Sequence, residues 1–164
     1  MKIIKGWRLG LAIWAMSTTL SAQELARPLE QNRVVVFICE HGNVKSLMAA
    51  SYFNQIAKER KLPYLAISRG VEPDANSAPP AIVQGLAQDH IDVRDFRPQK
   101  IADAELNAAS RVITIGTTLV NPTPALTDKR RKWNEVPPAS VDFKASSQVL
   151  KSRVNALIDE LEKH

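Results

Sequence analysis

The sequence predicts an α/β domain of three layers, a central four-stranded parallel sheet with helices on both faces. Three observations lead there. The runs Arg33–Cys39 (RVVVFIC) and Arg111–Ile115 (RVITI) are apolar and β-branched, as strands buried on both faces are. Stretches with apolar residues at three- and four-residue steps alternate with such runs. The chain, 164 residues long, has no internal repeat or low-complexity tract and suits one ordinary domain.

The first 22 residues stand apart from the fold. Lys2, Lys5 and Arg8 precede the apolar run LGLAIWAMSTTL, and the small pair Ser21-Ala22 follows it. That is the layout of a secretory signal peptide cleaved after Ala22. The run is too short for a comfortable membrane span. The expectation is a periplasmic or secreted protein with no stable membrane insertion after cleavage. Residues 23–32 read as a polar leader, and residues 33–164 as the domain.

Within the domain each element has its own cue. Arg33–Cys39 is the first strand, and Glu40 to Asn43 (EHGN) a tight polar loop. Residues 44–61 switch to helical spacing, with Leu47, Ala50, Phe53 or Asn54, and Ala57 on one face. Residues 63–70 form the second strand, ending at Arg69-Gly70. Pro73, Asp74, Asn76, Pro79 and Pro80 mark a loop, and a short helix runs over Pro80–Gln88. Asp103 and Glu105 suit the first turn of a helix over residues 101–109. Arg111–Ile115 is the third strand, residues 116–128 a long loop, and residues 132–136 the fourth strand. Val149, Leu150, Val154, Leu157, Ile158 and Leu161 line one face of a closing helix over residues 142–162.

Charge excludes some functions. The signal segment holds three of the 22 basic residues and none of the 17 acids, which leaves 19 against 17, a net charge of +2. Such a balance gives no support for a nucleic-acid partner. The cluster Lys129 to Lys132 reads as solvated surface. His41, His90 and His164 lack partners at metal-ligand spacing, so no metal is expected. Nucleotide signatures are absent, and no cofactor is expected.

The chain has one cysteine, Cys39, so it forms no internal disulfide. Cys39 ends the first strand, where parallel sheets bind their ligands. The segment that follows is Glu40, His41, Gly42, Asn43, Val44, Lys45, Ser46. Backbone N–H groups in such a strand-to-helix loop can converge on an anion, and the helix dipole adds to their pull. Gly42 opens backbone conformations closed to other residues. A thiol at the start of this nest is held as the nucleophilic thiolate. Lys45 adds a cation and Ser46 a hydrogen-bond donor. Glu40 is expected to point to solvent, and His41 to offset it when protonated.

Cysteine, five residues, a cation and serine, set between first strand and first helix, resembles the loop of low-molecular-weight protein tyrosine phosphatases and the related arsenate reductases. Ser68-Arg69-Gly70, Glu72-Pro73-Asp74, His90-Ile91-Asp92, Arg97-Pro98, Trp133 and Pro138-Ala139 extend the resemblance over residues 33–164. The resemblance implies a phosphomonoester hydrolase acting on a phosphorylated small molecule or phosphoprotein. Cys39 would form a phosphocysteine, and amides from Glu40 to Lys45 would hold the phosphoryl oxygens. An Asp would protonate the leaving oxygen. Four features depart from the pattern: Gly42-Asn43 come one position later than in the family, Glu40 adds a negative charge beside the anion site, and the cation and the acid differ. Lys45 stands in place of the family's Arg, and Pro137 in place of its acid Asp. Asp142 is the nearest downstream carboxylate and Glu135 the nearest upstream; Asp142 also suits the start of the last helix. The alternatives are a non-catalytic oxyanion-binding domain and, third, an arsenate reductase. The disulfide relay of thioredoxin-coupled arsenate reductases needs further cysteines, which the chain lacks.

Overall fold

The computed structural model describes residues 33–120 and 126–163. The signal segment, the leader and part of the loop over residues 116–128 lie outside the described residues. The chain runs β1 (Arg33–Cys39), α1 (Lys45–Glu59), β2 (Tyr64–Gly70), α2 (Pro80–Gln88), α3 (Asp103–Ala108), β3 (Arg111–Ile115), β4 (Arg130–Trp133), α4 (Phe143–Leu161). The four strands pair in the order β2-β1-β3-β4, all parallel. The predicted three-layer α/β architecture is the one observed.

The sheet has a core on each face because β1 is apolar on both. Val35, Phe37 and Cys39 join the core under α1, α2 and α4. Val36 and Ile38 join the other, under Leu106 of α3, Ala109 and Leu126. Phe37 lies against Phe53 and Trp133, with ring centroids 5.9 and 5.5 Å away, and so joins the central strand to α1 and to the end of β4.

The choice between Phe53 and Asn54 on α1 resolves by division of labour. Phe53 is fully buried. The Asn54 amide donates to the Ala66 carbonyl and accepts from the Ala66 N–H, at 2.9 and 2.7 Å, which pins α1 to β2. Lys61, at φ 55°, turns the chain out of the helix, and Leu62 N–H closes on the Ala57 carbonyl. At α4 the Asp142 carboxylate accepts from Ala145 N–H at 2.9 Å, an N-cap.

The fourth strand needs a correction. It spans Arg130–Trp133 rather than residues 132–136, because parallel pairing with β3 begins at Val112 opposite Arg130. Its basic residues hid it, since an edge strand carries charges that a central strand does not. Arg131 reaches Glu160, and Lys129 donates to the carbonyls of Asn107 and Ala109. The basic cluster is therefore in part fastened to the fold. Val136 lies past the strand and is buried in the core beneath α4.

With order β2-β1-β3-β4, the chain leaves β1 toward β2 and later returns on the other side to β3. The strand order reverses between β1 and β3, and the crevice at their carboxyl ends is where such sheets take ligands. Cys39 ends β1 at that crevice.

Candidate active site

Cys39 is the last residue of β1 and only 5% exposed. Its Sγ lies 3.0 Å from the Oγ of Ser46, which is fully buried in the first turn of α1. The Ser68 hydroxyl, on β2, lies 2.9 Å from Ser46 Oγ and 2.9 Å from the Gly42 carbonyl, and can donate to either. A thiolate only accepts, so ionised Cys39 makes Ser46 the donor. With Ser68 donating to Ser46, the two hydroxyls would form a chain that ends on sulfur.

The loop between Cys39 and α1 is shaped by two glycines in contact. Gly42 has φ +73°, and a Cβ there would lie 2.5 Å from Gly70 N. A Cβ on Gly70 would lie 2.8 Å from the His41 carbonyl carbon. Neither position has room for a side chain. Beyond them, Val71 N–H donates to the Cys39 carbonyl at 3.1 Å and Glu72 N–H to the Glu40 carbonyl at 2.9 Å. These bonds use the loop's carbonyls and leave its N–H groups. Among the described residues, no protein group accepts from the N–H groups of His41 to Lys45. Val44, the residue before α1, has no capping side chain, and no acid stands in the first turn. The loop and helix start together present unspent donors and the positive end of a dipole.

Lys45 crosses toward β3. Its Nζ lies 2.7 Å from where a Cβ on Gly116 would stand, and Gly116 has φ +62°. Among the described residues no carboxylate pairs with this ammonium. Glu40 does not simply point to solvent as expected. Its residue surface is exposed, but Oε2 accepts from Thr117 Oγ1 at 2.7 Å. Glu40, Gly116, Thr117, Thr118 and Asn134 line a cleft of about 500 Å³ at the ends of β3 and β4. A larger groove of about 700 Å³, lined by residues such as Val83 and His90, contains no residue of the loop. The smaller cleft includes Glu40, the residue after Cys39, and Gly116, against which Lys45 Nζ lies.

The remaining predicted residues divide. His41 Nδ1 lies 3.3 Å from both the Glu72 carbonyl and Asp74 Oδ1, outside the cleft lining. Asn43 is buried in the loop. Asp142 is held at the α4 cap, and Glu135 pairs with Arg153. Among the described residues there is no cluster of His, Cys, Asp and Glu fit to hold a metal. The sequence reading missed Ser68, Gly70, Gly116 and Thr117 as parts of this site. Each lies near or just past the carboxyl end of a strand that pairs with β1, so the observed strand order, which the sequence did not supply, brings them together.

A buried thiol at the base of a donor-lined loop, at the reversal of a parallel sheet, is an arrangement that can hold a tetrahedral oxyanion beside a nucleophile. The sequence profile of the family described as low molecular weight phosphotyrosine protein phosphatase matches residues 34–164, and the chain belongs to that family. A search of curated proteins gave no match. Solved structures share the fold. A YwlE mutant from Bacillus subtilis superposes with TM-score 0.71 at 20% identity, covering 79% of this chain and 99% of that one. A low molecular weight protein tyrosine phosphatase from T. tengcongensis gives 0.70 at 24%, covering 78% and 99%. An arsenate reductase from Archaeoglobus fulgidus gives 0.63 at 24%, covering 76% and 98%. At these identities the likeness is one of fold.

Proposed function

We propose that the chain hydrolyses phosphomonoesters through a phosphocysteine on Cys39. The observation that carries this reading is the Ser46–Cys39 contact at the base of a loop whose N–H groups have no protein acceptor. Cys39 Sγ attacks phosphorus in line. The amides of the loop receive the three equatorial oxygens, whose charge grows in the transition state. Lys45 neutralises that charge from the Gly116 side. Water then hydrolyses the thiophosphate ester, and Ser46 stabilises the departing thiolate. The substrate is a phosphorylated small molecule or a phosphoprotein. The first 22 residues fit export, and N-terminal sequencing of the mature protein, with Gln23 first, tests it.

Purified protein is expected to release phosphate from an aryl phosphate, and Cys39→Ser to abolish release. Lys45 offers a point charge where a guanidinium would grip two oxygens. Lys45→Arg is therefore expected to raise turnover, by up to about 100-fold if bidentate contact is restored. Lys45 also favours a second reading, a domain that binds oxyanions without turning them over. Calorimetric phosphate binding with no turnover would establish that reading in place of the first. Arsenate reduction stands third, since Cys39 has no second cysteine to form a disulfide with.

A further inference from the structure

Cleavage of a phosphomonoester leaves an alkoxide or phenoxide unless a proton reaches the leaving oxygen as the bond breaks. Several described carboxylates are held by other groups. Asp142 caps α4 and Glu135 pairs with Arg153. Asp89 is held by Tyr52 and Lys151, Asp92 by Arg94, and Glu105 by Arg69. Asp74 faces His41. Glu40 differs from all of these. It follows the nucleophile directly in the chain and lines the cleft whose wall includes Gly116. Lys45 Nζ rests against that same glycine. The Glu40 side chain is fixed by a neutral donor, Thr117 Oγ1, bound to Oε2. The other carboxyl oxygen, Oε1, has no protein donor among the described residues.

We infer that Glu40 is the group that gives the proton to the leaving oxygen and takes it back from water, with Thr117 as its positioning residue. The inference rests on the phosphatase reading above. In the first step the Cys39 Sγ–P bond forms and the P–O bond breaks. The bonding pair goes to the leaving oxygen, which receives the proton of the Glu40 carboxyl and departs as an alcohol. In the second step the Glu40 carboxylate takes a proton from water as the water oxygen bonds to phosphorus. The S–P pair returns to sulfur, orthophosphate leaves, and Glu40 is protonated again. The charged or titratable groups nearest Glu40 are Lys45 from α1, Cys39 and His41 on its own loop, and Glu72 past β2, whose N–H donates to the Glu40 carbonyl. Thr117, Thr118 and Asn134, beyond β3 and β4, are uncharged.

The test uses the full chain and two substrates, 4-nitrophenyl phosphate and phenyl phosphate. The first leaves readily without a proton and the second does not. Glu40→Gln is expected to lose about 100-fold or more in kcat/KM on phenyl phosphate and far less on 4-nitrophenyl phosphate, because kcat/KM reports the step in which the leaving oxygen departs. It is also expected to lose the limb of the pH profile along which the rate falls as pH rises. Thr117→Val is expected to give a smaller loss with the same dependence on leaving group. Unfolding curves identify variants that fail to fold. Equal loss of kcat/KM on both substrates, or no loss on either, would overturn the assignment alone. So would Asp142→Asn showing the leaving-group-dependent loss in its place. A wild-type protein with no turnover would overturn the phosphatase reading as well.

Discussion

Gly116 shows how one residue holds a charge in place. Its φ of +62° lies where side chains are rarely found, and its missing Cβ is the space that the Lys45 ammonium uses. Gly116→Ala therefore does two things. It strains the backbone, at a cost of about 1 kcal/mol or more. It also pushes the ammonium from the oxyanion side of the loop. We expect kcat/KM to fall about tenfold, and Lys45→Met to add little in the Gly116→Ala background, because both changes remove the same contact. A double-mutant cycle measures this. At this scale the sequence was informative about what neighbours in the chain can show. Cys39, Gly42, Lys45 and Ser46 lie within one short segment, and their chemistry is legible there. Ser68, Gly116 and Thr117 come to the site from distant strands, and only the fold brings them there.

Backbone contacts join elements around the site, beside the side-chain bonds of Ser68 and Thr117. The loop after β1 rests on the end of β2 where Gly42 meets Gly70, with no room for a Cβ on either. Gly42→Ala is expected to lower stability by about 2 kcal/mol or more, from the positive φ and the clash together, and to abolish activity. Thermal unfolding and the aryl-phosphate assay read the two effects. The central elements were legible because burial on both faces leaves an unbroken apolar run, as in β1 and β3. The edge was not. β4 is four residues long and mostly basic, and its place is set by pairing with β3, not by its own pattern. Asp142 was legible both as a carboxylate and as the start of α4. The structure shows it engaged in the second role.

Across the whole molecule, ion pairs outside the loop set the response to acid. Arg69 grips Glu105 from β2 through two nitrogens and holds its carboxyl below the ordinary carboxylate value, against the opposing effect of burial. Burial alone would raise Asp89, but hydrogen bonds from Lys151 and Tyr52 bring it below its ordinary value. Burial in turn pushes the Tyr52 hydroxyl well above the usual tyrosine range. Both carboxylates are depressed in the folded state. Their contribution is full above the unfolded values and is lost as pH falls through the folded ones. Stability is therefore expected to hold above about pH 5 and to decline below it. In Glu105→Gln the denaturation midpoint should be lower at neutral pH and vary less between about pH 5 and 3.

The two bonds that β2 sends back to the loop, Val71 to Cys39 and Glu72 to Glu40, have a kinetic meaning. The loop has no hinge of its own, because any opening must also unzip the end of β2. Local opening therefore takes in both segments as one cooperative unit and is correspondingly rare. On the proposed reading, an oxyanion would enter and leave above a floor that stays shut, and the rate of its exchange would be set by the mouth of the cleft.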